Sequence, residues 1–238
     1  MKKHKWIRLV PPLIIALLAA VFFIYVSDYY RADGTALAAM QPDGAVAVVE
    51  TDTGWLFDGP SETDALIFYP GGKVECTAYA PLLHELAAEG MDVFLVKMPF
   101  NLAVFGANRA DRVTAQYDYE RWHVGGHSLG GVMAASWASA RAENVETLIL
   151  LASYPSKPLQ GDFLTLFLWG SADGVVNREK LQEGIGYAPA AHEEYVIEGG
   201  NHAQFGSYGF QKGDGEAAVT AEEQIRQTAG FIMAHAAD

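Results

Sequence analysis

Ser128, Asp173 and His202 are the residues whose types and settings point to chemistry in this chain of 238 residues. A serine hydroxyl is a weak nucleophile near neutral pH. It needs a base to take its proton, and the base needs an acid that fixes its tautomer and balances its developing charge. Ser128 stands in Gly126-His127-Ser128-Leu129-Gly130, a G-x-S-x-G pattern. Five residues alone decide little, but this pattern lies where a strand-like run, "RWHVG", meets a helix-like one, "GVMAASWASARA". A nucleophile elbow occupies such a junction, and its strained turn needs small residues two before and two after the serine. Gly126 and Gly130 meet that need.

The base and acid must reach the same edge of the sheet, which selects among the other polar residues. His4 precedes an apolar segment, His84 is inside a helix, His123 is in the elbow strand, His192 begins a strand and His235 is near the C terminus. The side chain of His127 should point away from so tight a turn. His202 follows a strand's C-terminal end in "EGGNHAQFG" and is assigned as the base. Asp162 precedes the strand "FLTLFLWG", whereas Asp173 follows it in "GSADG" and is assigned as the acid. An acyl-transfer site also needs two N–H groups for the oxyanion. Leu129 would supply one, and the "GGKVE" loop the other, from Gly72 with Lys73 next. A G-x-G-x-x-G fingerprint is absent, and a Walker loop would need Lys and Ser/Thr where Gly131 and Val132 stand, so a nucleotide-phosphate site is excluded.

These residues need a scaffold, and the chain alternates strand-like and helix-like runs. "AVAVVET" and "GWLFDG" read as a hairpin, "ALIFYP" as a buried strand, "TAYAPLLHELAAEG" as a helix closed by Gly90, and "MDVFLVKMP" as a strand. "ETLILLAS", "FLTLFLWG" and "EEYVIEGG" are further strands, with a helical stretch over 177–184. The last helix begins at Thr220, with Glu223 placed for a capping box, and lays Ile225, Ala229, Ile232 and Met233 on one face. Alternation of this kind predicts an α/β fold with a mainly parallel sheet covered on both faces, and chemistry beyond the C-terminal strand ends. The connection "SYPSKPLQGD" is too short for a lid domain.

Ahead of this domain, expected over 44–238, are a basic stretch 1–8, an uncharged run 9–26 ("LVPPLIIALLAAVFFIYV") and a small-residue, turn-prone linker 27–43. The uncharged run spans roughly 27 Å as a helix, close to a hydrocarbon core. Pro11 and Pro12 fall in its first turn, and Trp6, Tyr25, Tyr29 and Tyr30 suit the interfaces. Basic residues before it and Asp28 after it orient a single-pass anchor with the domain extracytoplasmic. Ala36-Leu37-Ala38 resembles a signal-peptidase site but lies far from the apolar run; cleavage there would give a secreted domain. The net charge is −13, and more negative without the four basic residues of the first eight, which excludes nucleic acid as a partner. Cys76 is the sole cysteine, so an intramolecular disulfide is impossible.

Taken together, "YPGGKVE", "GGHSLGG", "GSADG" and "GGNHAQFG" resemble the oxyanion loop, nucleophile elbow, acid loop and histidine loop of the α/β-hydrolase superfamily, in that order. The resemblance is nearest to small bacterial hydrolases of the dienelactone-hydrolase-like group, although dienelactone hydrolase has a cysteine where this elbow has Ser128. It implies an α/β-hydrolase fold without a lid and a serine hydrolase acting on a small ester, thioester or lactone, with no metal or organic cofactor. Acyl transfer on the same scaffold, or a binding module retaining the fold, are the alternatives. Lys73, Phe100, Phe105, Tyr154, Phe205 and Tyr208 are candidates to line the substrate pocket, and Glu75 to brace the histidine or the loop. The sequence is silent on oligomeric state.

Overall fold

The computed structural model describes residues 3–236, with side chains from residue 11 onward. Eight strands form one sheet in the order β1-β2-β4-β3-β5-β6-β7-β8. β1 (Ala47–Glu50) and β2 (Gly54–Asp58) make the expected hairpin, and β2 runs antiparallel to β4 (Asp92–Val96). β3 (Asp64–Tyr69), β5 (Arg121–His127), β6 (Thr147–Leu151), β7 (Leu164–Gly170) and β8 (His192–Ile197) extend from β4 in parallel. β3, β4 and β6 are buried along their whole lengths, as strands covered on both faces must be. No lid interrupts the connection 152–163, which carries no helix.

One face of the sheet is covered by α3 (Ala80–Ala88) and α7 (Ala221–Ala236), the other by α4 (Ala110–Thr114), α5 (Leu129–Ala140) and α6 (Arg178–Ile185). Their ends follow local chemistry. Gly90 takes φ 103° just past α3, Asn177 accepts from the Lys180 N–H to cap α6, and Thr220 Oγ1 accepts from the Glu223 N–H to start α7. Glu223 turns to Arg226 and Gln227 rather than closing the box. Ile225, Ala229 and Ile232 are buried as their spacing requires. Cys76 is buried, which pushes its thiol pKa up to about 11.

Two N-terminal expectations change. The first helix, α1 (Lys3–Ser27), begins before the apolar run, so Pro11 and Pro12 lie inside it rather than in its first turn. Lys and Arg are good helix formers and carry the helix through the basic stretch. Among the described residues no helix is long and apolar enough to cross a membrane. Met1 and Lys2 of the basic stretch lie outside the described residues, as do the side chains of Leu9 and Val10 at the start of the expected span.

The second change concerns 27–43, which is packed on the domain instead of linking to it. Asp33 caps a short helix, α2 (Gly34–Ala39), that buries Ala36 completely. Tyr30 makes a parallel bridge with Val74, its N–H donating to the Lys73 carbonyl at 2.8 Å while its own carbonyl accepts from Glu75 at 2.8 Å. The Ala32 N–H donates to Glu75 Oε2, giving that carboxylate a role in holding this segment. The chain just after α1 is thereby an extra ribbon beside the loop that follows β3.

Candidate active site

Ser128 sits between β5 and α5 with φ 52° and ψ −123°, a sparsely populated conformation for a residue with a Cβ. The surroundings enforce it. A Cβ at Gly130 would lie 2.1 Å from the Tyr69 carbonyl oxygen, and one at Gly126 2.5 Å from the same atom, so only glycine lets the turn approach β3. The Ser128 N–H donates to the Leu151 carbonyl and its carbonyl accepts from Ser153 Oγ at 2.7 Å, locking the elbow onto β6. A Gly130→Ala protein should therefore be destabilised by overpacking, on the order of 1–3 kcal/mol, read as a lowered denaturation midpoint.

Beyond the ends of β7 and β8, Asp173 Oδ2 lies 2.8 Å from His202 Nδ1, and both side chains are almost wholly buried. The other carboxylate oxygen, Oδ1, accepts from the N–H groups of Val175 and Val176, each at 2.8 Å. His202 and Ser128 line one cleft of about 240 Å³, together with Leu129, Val132, Tyr154 and Val176. The three residues selected from the sequence thus lie at one edge of the sheet. A groove of about 630 Å³ lies behind the histidine loop, lined by Asn201, Gln204, Phe210 and Glu222; it contains none of the three.

The amides beside the serine are arranged by exclusion. In the loop after β3, the Gly71 N–H donates to Tyr79 Oη at 3.0 Å and the Lys73 N–H to the Asn101 carbonyl at 2.8 Å. No intramolecular acceptor is found for the Gly72 N–H among the described residues. Gly72 is pressed against Leu129, since an added Cβ would sit 2.9 Å from Leu129 Cδ2. Gly72 and Leu129 are thus neighbours, as a two-donor oxyanion site requires.

The pocket candidates divide. Tyr154 lines the cleft. Phe205 is fully buried beneath the site, 5.6 Å between ring centroids from His127, and Tyr208 packs on Tyr79. Lys73 reaches away to Asp28 Oδ2 at 3.0 Å and over the Tyr25 ring, which binds the oxyanion loop to the end of α1. Phe100 and Phe105 are exposed and pack against α1 instead. Among the described residues no group of His, Cys, Asp and Glu is arranged to hold a metal ion.

Two supports were not visible in the sequence. His127 does point away from the cleft, but it packs under His202 with ring centroids 4.4 Å apart. Burial and then the neighbouring His202 ring hold its pKa well below a histidine's ordinary value, so it stays neutral. Tyr79 Oη, accepting from Gly71, lies 2.8 Å from His127 Nδ1 and can donate to it. Tyr79→Phe should cost about 1–3 kcal/mol by orphaning the Gly71 N–H, measurable in a denaturant melt.

Asp214 is the second support. Its Oδ1 accepts from the N–H groups of Gly174 and His202, and its Oδ2 from Ala203 at 2.8 Å. One carboxylate thus ties the acid loop to the histidine loop. Asp214→Ala should loosen both and lower turnover by about 10²-fold, the scale of an ångström-level misplacement. KM for a small ester should change much less than kcat.

Fold and site together define an α/β-hydrolase. Residues 65–226 match the alpha/beta hydrolase family, and the chain belongs to that family. The match is to the family as a whole and not to its dienelactone-hydrolase-like group. No curated protein matches the chain at the sequence level. Among solved structures, the chain resembles a predicted CIB-like hydrolase from Thermoplasma acidophilum (TM-score 0.59, 16% identity, covering 79% of this chain and 99% of that one). It also resembles Est1E from Butyrivibrio proteoclasticus (TM-score 0.55, 13% identity, 82% and 100% covered). A thioesterase domain from the curacin biosynthetic pathway is similar too (TM-score 0.58, 13% identity, 80% and 100% covered).

Proposed function

We propose that this chain is a serine hydrolase cleaving a small ester or thioester through an acyl-enzyme. The observation that carries the reading is the strained Ser128 elbow sharing a cleft with His202, whose Nδ1 is 2.8 Å from Asp173. His202 Nε2 takes the Ser128 proton as Oγ attacks the acyl carbon. The Gly72 and Leu129 N–H groups stabilise the oxyanion, and collapse expels the alcohol or thiol, which receives that proton. Water, deprotonated by the same nitrogen, then attacks the acyl-enzyme, and Ser128 Oγ leaves with the proton. A cleft of about 240 Å³ lined by Val132, Val175 and Val176 suits a short acyl group. That a thioesterase domain shares the fold supports the thioester class.

The test is a fluorophosphonate probe on the folded chain, with peptide mapping of the adduct. Modification of Ser128 is the expected result; no modification while a control serine hydrolase labels would defeat the reading.

The same reading makes α1 a retained single-pass anchor that leaves the domain extracytoplasmic. Its support is the uncharged run 9–26, whose described side chains, from residue 11, are largely exposed, as Leu13 (71%), Ile15 (67%) and Ile24 (70%) illustrate. A retained segment also fits the packing of 29–39, because cleavage after Ala38 would strip Tyr30 from Val74 and buried Ala36 from the domain. N-terminal sequencing of membrane-fraction protein checks this, with a start at Ala39 as the contrary outcome.

A further inference from the structure

The aromatic side chains that the catalytic cleft leaves unused collect on one surface. Phe22 of α1 packs edge-on against Phe100 and Phe105, with ring centroids 5.2 Å and 6.0 Å apart, and Phe23 lies 6.4 Å from Phe100. Phe100 (46%), Val104 (49%) and Phe105 (53%) stay about half exposed even so. The backbone holds Phe100 in place at some cost, since it and Asn101 carry φ 57° and 54°, left-handed values that non-glycine residues seldom take. The surface adjoins the chemistry, because the Asn101 carbonyl accepts from the Lys73 N–H, one residue beyond Gly72.

We propose that this surface is a lipid-contact face, and that the substrate is an amphiphilic ester or thioester taken from the bilayer. One small group would occupy the cleft while the hydrophobic remainder lies along the aromatic face. The proposal rests on the serine-hydrolase reading and on α1 entering the membrane. A bilayer is the occupant because the surface is continuous with the exposed apolar side of α1. Phe22 and Phe23 stand three or four residues before Val26, the last residue of the uncharged run, so about 5–6 Å inside its end at the rise of an α-helix. Side chains touching them cannot stay in bulk water when that run is in hydrocarbon. Tyr25, Tyr29 and Tyr30 and the Lys73–Asp28 pair lie at the level where headgroups begin.

The experiment uses the full chain in phosphatidylcholine vesicles. A polarity-sensitive fluorophore on Val104→Cys should be quenched by nitroxide-labelled phospholipid; native Cys76, only 4% exposed, stays unlabelled. Equal access to aqueous iodide with and without vesicles would overturn the proposal, as would shielding that tracks protein concentration without lipid, which would mark a second copy of this chain as the occupant. For activity, methylumbelliferyl acetate in solution is compared with vesicle-embedded heptadecylumbelliferyl acetate, which presents the same acyl group. The double variant Val104→Ser/Phe105→Ser should lose about tenfold on the embedded ester and keep wild-type turnover of the soluble one. Equal loss on both esters, or on neither, rejects the proposal. If neither ester is cleaved and the fluorophosphonate fails to mark Ser128, the hydrolase reading falls, and the quenching measurement still decides whether the surface meets lipid.

Discussion

Ser128→Ala is expected to lower turnover of an accepted ester on the order of 10⁴- to 10⁶-fold, by analogy with triad knockouts on unrelated folds. The substitution removes the attacking oxygen and little else. The hydrogen bonds that fix this residue run through its main chain, from its N–H to Leu151 and from Ser153 Oγ and the Val132 N–H to its carbonyl. Alanine meets the same φ of 52° that serine already bears, so thermal unfolding should hardly change. His202→Ala should lose a similar factor, and the double variant should be no worse than either alone, because nucleophile and base act as one unit. Steady-state rates of the three proteins against the parent decide this. Near-normal turnover by Ser128→Ala would remove the serine mechanism altogether.

The sheet was legible because strands buried on both faces read as short apolar runs, and the helices between them force parallel pairing. Long, periodic helices such as α7 were legible for the same reason. The short ones were not. α2 is "GTALAA", in which no apolar period can show; it is helical because Asp33 caps it and because Ala36 is buried completely against the domain. α4 spans only Ala110–Thr114, too little for a period to register. The packing of 27–43 was invisible because Tyr30 pairs with Val74, a contact set by where α1 delivers the chain and not by local sequence.

At the site, the rule that chemistry gathers beyond C-terminal strand ends separated Asp173 from Asp162 and His202 from five other histidines, and the tightness of the turn set aside His127. It could not find Asp214, which follows no strand directly and acts by accepting from the amides of two other loops. It could not place Lys73 or Phe100 either. The type of each fitted a pocket wall, but their neighbours Asp28, Tyr25 and Phe22 come from the far N terminus. A side chain's direction depends on that long-range packing, whereas the location of its loop follows from the order of elements.

Asp173→Asn tests the acid in a way that alanine does not, because the structure dictates how the new amide must lie. Oδ1 of Asp173 accepts from the Val175 and Val176 N–H groups, both at 2.8 Å. An asparagine there keeps its carbonyl oxygen toward those two donors, since the reverse orientation would set an NH₂ against two N–H groups in a buried site. Its NH₂ then faces His202 Nδ1, at the position from which Oδ2 now lies 2.8 Å away. The ring must accept there and carry its proton on Nε2, so the nitrogen needed as base is already occupied. Turnover should fall about 10⁴-fold with little change in substrate binding, the size seen when this tautomer is inverted elsewhere. Stability should be nearly retained, as every hydrogen bond of the loop keeps a partner. A loss of only a few-fold would mean that the acid restraining His202 is not Asp173. A large loss accompanied by collapse of the thermal melt would mean that the residue holds the loop rather than the ring.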